Sequence, residues 1–311
     1  MIKQVLEQMS CGEVVKHQSD KLVTATLGEG LQAVTLRMSQ HKISALPVFD
    51  DQGKLAGLLD FGDIVSFILT SAHKHGDADG ALGDSQKFWQ FLAHSTITPA
   101  VLNCSGGNAT RRINLGDSVY RACEVFAEEE GKARRLVVVD HVKVVGLLSP
   151  STVCKRLLEE LKGGLDPQLL QTVDGLCSKE GNNTVPRLVS KTCLVMDAMA
   201  EMQRHHVPCV AVVDPLTNAL AGSLSLSDIK LVFSQQDFGI LKLSAWDFII
   251  LNRGLLDQEQ FPFIGIGRDA ILVNLIHKLL ATKVHNIYIV DKQLMPTQVV
   301  GFPLVCRGFL S

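Results

Sequence analysis

The chain carries no excess of charge of either sign: 30 Lys+Arg stand against 32 Asp+Glu in 311 residues, a formal net charge of −2. With a pI near 6.5, that balance excludes a nucleic-acid-binding or polybasic membrane surface. No apolar run approaches the roughly 18 residues a spanning helix needs. The first residues, Met1 to Gln8, lack the continuous apolar stretch of a secretory signal. None of the eight cysteines (Cys11, Cys104, Cys123, Cys154, Cys177, Cys193, Cys209 and Cys306) falls in a CxxC pair, so neither a zinc site nor a disulfide framework is indicated. Catalytic signatures are missing too: there is no GxSxG elbow, no GxxxxGK[ST] loop and no HExxH helix. What remains points to a non-catalytic, soluble, cytoplasmic protein with access to the nucleus. Its residues are 46% hydrophobic, and the mean hydropathy is +0.20. That is ample apolar material for the cores of two domains or one large one.

What the chain does have is a repeat. Four segments carry a short β-branched strand closing on Asp, a turn, a second strand opening on Gly, and then a helix. The first strands are Ile43–Asp50, Ala133–Asp140, Val207–Asp214 and Val284–Asp291, and the glycines are Gly57, Gly146, Gly222 and Gly301. The glycines lie 89, 76 and 79 residues apart, too long for a solenoid and suited to a small supersecondary unit copied four times. Upstream of each strand pair, apolar residues at 3–4 spacing predict a helix. They are Leu31, Val34 and Met38; Val119, Cys123 and Phe126; Val195, Met199 and Met202; and Leu272, Leu275 and Leu279. Each copy therefore reads β-α-β-β-α, a unit whose uncovered sheet face pairing with another copy would cover.

This order, the Pro-Val-Phe-Asp strand ending and the Gly-x-h-[Ser/Thr]-x-x-Asp-[Ile/Val] closing strand resemble the CBS (cystathionine β-synthase) domain. Four copies in one chain resemble the gamma regulatory subunit of AMP-activated or sucrose-nonfermenting-type protein kinase, and equally the four-copy stress regulators of fungi and plants. The resemblance implies an α/β (α+β) fold of four CBS repeats paired into two Bateman modules that form a disk. The first module would be residues 1–162, with repeats at about 22–69 and 110–158 and a linker helix at 85–95. An inter-module linker at 163–185 would follow, then a second module at 186–311 with repeats at about 186–234 and 262–310. Residues 71–84 read as a polar, Gly-rich loop; their His73, His75, Asp77 and Asp79 read as solvated linker rather than metal ligands. Ser85 is a candidate N-cap for the helix that follows.

The resemblance also implies a ligand: an adenine nucleotide (AMP, ADP or ATP) in clefts between repeats, with no obligatory cofactor. The terminal Asp of each [Ser/Thr]-x-x-Asp turn would hold the ribose, since a carboxylate accepts hydrogen bonds from two vicinal hydroxyls at once. The Ser or Thr would lie near the helix N-terminus, where backbone donors favour anions. The third copy keeps both, Ser225 and Asp228, and Thr192 belongs to its ligand set. The first keeps Asp63 but has Asp60 for the hydroxyl residue. The second keeps Ser149 but has Thr152 for the acid. In the fourth, Leu304 and Arg307 replace both groups and Pro303 interrupts the strand; Arg307 there reads as a structural or salt-bridge residue. Candidate phosphate donors are Arg134 and Arg135 in the second copy and His285 in the fourth, whereas Ser44 and Ser151 occupy positions that are basic in the kinase family. The partners implied are kinase catalytic (alpha) and scaffold (beta) subunits. The alternative is a CBS interaction scaffold or stress regulator without nucleotide binding.

Overall fold

The computed structural model describes residues 1–18, 22–74, 85–102, 104, 110–128, 134–161, 166–179, 185–255 and 263–310. Along the chain, α1 (Ile2–Gln8) and α2 (Cys11–Val15) precede the first repeat, β1 (Ala25–Thr26), α3 (Leu31–Gln40), β2 (Ala45–Phe49), β3 (Leu55–Asp60) and α4 (Phe61–Lys74). Helices α5 (Ser85–His94) and α6 (Pro99–Leu102) lead to the second, β4 (Arg111–Asn114), α7 (Val119–Glu128), β5 (Leu136–Asp140), β6 (Lys143–Leu148) and α8 (Pro150–Leu161). A 3-10 turn (Pro167–Leu170) and α9 (Val173–Cys177) precede the third repeat. This repeat runs through β7 (Leu188–Ser190), α10 (Val195–Arg204), β8 (Cys209–Val213), β9 (Leu220–Ser225), a 3-10 turn (Leu226–Ile229) and α11 (Lys230–Gln235). Another 3-10 turn (Phe238–Lys242) and α12 (Ala245–Leu255) lead to the fourth, β10 (Gly265–Ile266), α13 (Leu272–Thr282), β11 (Asn286–Val290), β12 (Pro296–Gly301) and α14 (Phe302–Leu310).

All four copies adopt the expected β-α-β-β-α order. In each, the first strand runs parallel to the second and the second antiparallel to the third. The register shifts at the same place in every hairpin, after Val48, Val138, Val212 and Ile289. Side-chain alternation along central strands buried on both faces sends Leu46 and Val48, and Val210 and Val212, into one core. Leu136 and Val138, and Ile287 and Ile289, enter another. The helical triplets at 3–4 spacing complete these cores, one holding the first and third repeats and the other the second and fourth.

The chain thus divides into two compact units, each drawn from both halves of the sequence. One comprises Met1–Leu22, Ala109–Pro186 and Ile264–Ser311; the other Val23–Asn108 and Arg187–Phe263. A reciprocal exchange underlies this division. The segment leading into each repeat packs on a different repeat and is fixed there by the same pair of backbone bonds. Val119 N–H donates to Met9 O (2.9 Å) and Cys11 N–H to Asp117 O (2.8 Å), placing the first leader on the second repeat. Leu31 N–H donates to Ser95 O (2.8 Å) and Ile97 N–H to Glu29 O (2.9 Å), placing the second leader on the first repeat. The third leader sits on the fourth repeat through Leu272 N–H to Gln171 O (2.9 Å) and Val173 N–H to Ala270 O (2.8 Å). The fourth sits on the third through Val195 N–H to Leu243 O (3.0 Å) and Ala245 N–H to Cys193 O (2.7 Å).

Several local expectations change. The segment 166–178, expected within a linker, is structured: Leu169, Val173, Leu176 and Cys177 are buried in a core, and the Asp166 carboxylate caps Gln168 N–H at 2.9 Å. Residues 71–74, expected as loop, extend α4, because no glycine or proline interrupts the helix before Gly76. The rest of that loop, 75–84, lies outside the described residues, as do the side chains of His73 and Ser85. Pro303 does not interrupt a strand: β12 ends at Gly301 and Pro303 falls in the first turn of α14, where its missing N–H has no intrahelical acceptor to lose.

Candidate functional site

Each repeat brings its last strand into a helix through one tight turn, and the four turns are chemically different. In the third repeat, Ser225 N–H and Oγ both donate to Asp228 Oδ2, at 2.6 and 2.8 Å. The other oxygen, Oδ1, faces Asn252 Nδ2 at 3.4 Å. Ser225 and Asp228 are half-buried, so the carboxylate is held by its own turn at a partly accessible position. In the first repeat the same box is made of two carboxylates: Asp60 N–H donates to Asp63 Oδ2 (3.1 Å) and Asp63 N–H to Asp60 Oδ1 (3.0 Å). Both are buried, Asp60 to 3% and Asp63 to 0% exposure, which makes this turn a capped helix start rather than an open acceptor.

The second repeat forms a hydroxyl cluster. Ser149 Oγ lies 2.9 Å from Ser151 Oγ and 2.8 Å from Thr152 Oγ1, and it accepts Thr152 N–H at the start of α8 (3.3 Å). In the fourth repeat Leu304 is buried and Arg307 Nε donates to Ala127 O at the end of α7 (3.1 Å). The arginine in the acid position thus serves the helix of another repeat, the structural role its replacement suggested.

The remaining candidates sit around these turns. Thr192 is exposed, and its Oγ1 pairs with Ser190 Oγ at 2.8 Å. Lys191 between them reaches Asp214 Oδ2 at 2.6 Å. That ammonium, with the N–H groups of Leu216 and Thr217, holds the Asp214 carboxyl down at about 2. Arg134 and Arg135 are half-buried at the entry to β5. His285 is exposed, with its ring edge-on to Phe302 at 6.1 Å between centroids.

Within each unit the turns meet in pairs. The start of α4, carrying Asp63, packs on the 3-10 turn carrying Asp228. There Phe61 stacks on Phe233 at 5.8 Å, and Lys230 Nζ lies 5.7 Å over the Phe61 ring. In the other unit α14 packs on α7 and α8, bringing the Arg307 helix to the hydroxyl cluster. One unit therefore carries the three turn carboxylates, Asp60, Asp63 and Asp228. Among the described residues the other unit's turns carry hydroxyls and arginine in those places.

Six of the cysteine thiols, Cys11, Cys123, Cys154, Cys177, Cys193 and Cys306, are pushed above the ordinary thiol value. Burial pushes Cys11 up to about 12 and Cys177 to about 11. Contact with the Cys306 thiol, together with burial, raises Cys123, and burial raises Cys154. None of the eight cysteines forms a disulfide, and among the described residues no group of three or more His, Cys, Asp and Glu could hold a metal ion. No described helix is long and apolar enough to cross a membrane.

Sequence reasoning missed Asn252. A single Asn in the apolar helix α12 carries no motif; only the packing of that leader on the third repeat brings its amide to Asp228. It also missed Asp60 as a partner for Asp63, although two acids three residues apart are a recognisable capping pattern.

Fold and turns together define a tandem CBS-repeat architecture. Residues 12–70 match the profile of the CBS domain, a span that begins inside the first leader. The structure is similar to protein MJ1225 of Methanocaldococcus jannaschii, described as a proposed archaeal homologue of g-AMPK. The TM-score is 0.72 at 15% identity, over 96% of this chain and 99% of that one. It is also similar to an uncharacterized conserved protein of Pyrococcus horikoshii, with TM-score 0.51, 13% identity, and 93% and 96% coverage. These likenesses establish the fold, and with it the four-CBS, gamma-like resemblance. Among curated sequences the chain is 25% identical to Protein SDS23 of Debaryomyces hansenii over 89% of its length and 54% of the relative's. To Protein sds23 of Aspergillus clavatus it is 32% identical, over 91% and 55%. The chain spans about half the length of the curated relatives it matches.

Proposed function

We propose that this protein is a non-catalytic regulatory module that senses an adenine nucleotide (AMP, ADP or ATP) at its third repeat and serves as a gamma-like component of a protein kinase complex. The observation that carries this reading is the Ser225–Asp228 turn. There Ser225 N–H and Oγ fix one carboxylate oxygen at 2.6 and 2.8 Å, and the carboxylate stands half-buried as an acceptor for ribose hydroxyls. The likeness to a protein described as a g-AMPK homologue supports it at the level of fold. The reciprocal exchange of leaders, first with second repeat and third with fourth, supports pairing of consecutive repeats into Bateman modules. Binding would regulate a partner only through a ligand preference for one of two arrangements of the protein.

Calorimetric titration with AMP, ADP, ATP and S-adenosylmethionine tests this reading. Saturable adenylate binding is expected, lost in Asp228→Ala and weakened in the isosteric Asp228→Asn, while both variants keep a cooperative melting transition. Unchanged affinity in both variants overturns the assignment.

A second reading, an interaction scaffold without nucleotide binding, is favoured by the other unit, where Thr152 and Arg307 stand in the acid positions and Arg307 is engaged with Ala127 O at 3.1 Å. It expects partner capture without any nucleotide response, and a pull-down lacking kinase alpha and beta subunits favours it.

A further inference from the structure

We infer that Asn252 is the second half of the ribose-reading group at the third repeat, its carboxamide acting with the Asp228 carboxylate to select a vicinal diol. This rests on the reading of Asp228 as the ribose acceptor and deepens it. Asn252 arrives from outside the repeat, on the leader helix α12. That helix is anchored at its start, where Ser244 Oγ donates to Asp247 Oδ2 (2.6 Å), Asp247 N–H donates back to Ser244 Oγ (3.1 Å), and the backbone pair with Cys193 and Leu243 closes the join. The far end of the helix therefore reaches the turn without depending on Asn252 for its position.

The distance carries the chemical argument. Oδ2 of Asp228 is held by two short bonds from Ser225, whereas Asn252 Nδ2 stands 3.4 Å from Oδ1, beyond the usual range of about 2.7–3.2 Å for such a bond. A contact this long is weak and exchangeable. A hydroxyl is both donor and acceptor. One that gives its proton to Oδ1 presents its lone pairs to Nδ2, and the amide oxygen is an acceptor for the neighbouring hydroxyl. With Oδ2 taken by the two Ser225 donors, the Asp228 carboxylate by itself offers chiefly Oδ1, which favours a second hydroxyl little. The carboxylate–carboxamide pair gains fully only from two hydroxyls on adjacent carbons.

The placement has a counterpart in the other unit. Gln18 and Asn252 each follow the bridging serine of their leader, Ser10 and Ser244, by the same interval. Gln18 Oε1 likewise reaches the last strand of the repeat it covers, accepting Leu147 N–H at 2.9 Å. The leader thus delivers a carboxamide to the closing strand in both cases. It meets a backbone amide in the second repeat and the candidate ribose acceptor in the third.

The test is calorimetry on the full chain with AMP and 2′-deoxy-AMP, using the wild type, Asn252→Ala, Asn252→Asp and Asp228→Ala. The wild type is expected to prefer AMP by about tenfold, the worth of one hydrogen bond to a charged pair. Asn252→Ala should weaken AMP more than 2′-deoxy-AMP, bringing the ratio to within about threefold, while the cooperative melting transition is kept. Asn252→Asp, which loses the donor and adds a like charge beside Asp228, should weaken AMP further. If Asn252→Ala keeps the wild-type ratio, or loses both ligands equally, while Asp228→Ala abolishes binding, this inference fails and the ribose role of Asp228 stands. If the wild type binds neither nucleotide, both readings fall together.

Discussion

An aspartate closes the second strand of every repeat, and in three of them its carboxylate turns the hairpin. Asp50 Oδ1 accepts Gln52 and Lys54 N–H (3.0 and 2.8 Å), Asp214 Oδ1 accepts Leu216 and Thr217 N–H (2.9 and 3.2 Å), and Asp291 Oδ1 accepts Gln293 and Met295 N–H (2.9 and 2.8 Å). Asp214 adds an ion pair with Lys191 (2.6 Å) beside Thr192, and its carboxyl falls to about 2, through Lys191 first and the two N–H groups next. The sign follows directly. A carboxyl whose folded value lies below its unfolded value of about 3.9 contributes stability above that pH and loses it as pH falls through the folded value. A carbon-detected NMR titration should therefore place the Asp214 midpoint near 2. Lys191→Met should raise it part of the way toward about 3.9, because the N–H bonds remain. A midpoint unmoved by that change would show that the ammonium contributes nothing. The ordinary stretch of the titration, around neutrality, should leave this hairpin unaffected.

Elements of this fold were legible where the pattern was repeated and local. The 3–4 triplets and the β-branched strands appear four times and each forms as expected, but the last strand of each repeat begins before its glycine, and in the fourth repeat β12 ends at Gly301, where a strand was expected to open. The leaders were another matter. Their apolar faces announce that something covers them, but periodicity carries no address, and nothing in residues 2–15 says that the second repeat rather than the first receives them. The same gap hid Asn252, whose role depends on where α12 lands, while Ser225 and Asp228 could be read from the motif alone. Gly146 shows how strongly an address is enforced once folded. It was legible only as the opening of a strand, yet a Cβ placed there would stand 2.7 Å from Val15 Cβ and 3.1 Å from Gln18 Oε1. The β-branched Val15 is buried to 1% and has no room to yield. Gly146→Ala should cost about 1–3 kcal/mol in urea denaturation, the usual range for overpacking. The double variant Gly146→Ala/Val15→Ala should recover part of that loss. Equal stability of Gly146→Ala and wild type would mean that α2 does not bear on β6 as described.

At the scale of the whole molecule, the two cores decide how the chain holds together. Each unit takes repeats from both halves of the sequence, the first with the third and the second with the fourth. Ile2, Leu6, Phe126 and Leu157 share one core with Leu275, Ile287 and Phe309. Leu31, Leu46 and Phe88 share the other with Met202, Val212 and Phe248. Cutting the chain between its halves severs one covalent link but removes no side chain from either core, and each Å² of apolar surface the halves bury together holds them by about 25 cal/mol. A protease site inserted within 180–184 should therefore yield two fragments that co-elute at the 33.9 kDa size of the intact chain and separate only in denaturant. If the halves instead part on cleavage in native buffer, the shared cores are not the chief adhesion between them. The leader exchange would then bind each half internally, first to second repeat and third to fourth, and the cut would separate two self-sufficient modules. The same experiment thus weighs the two ways in which this chain ties its repeats together, because one runs across the midpoint of the sequence and the other does not.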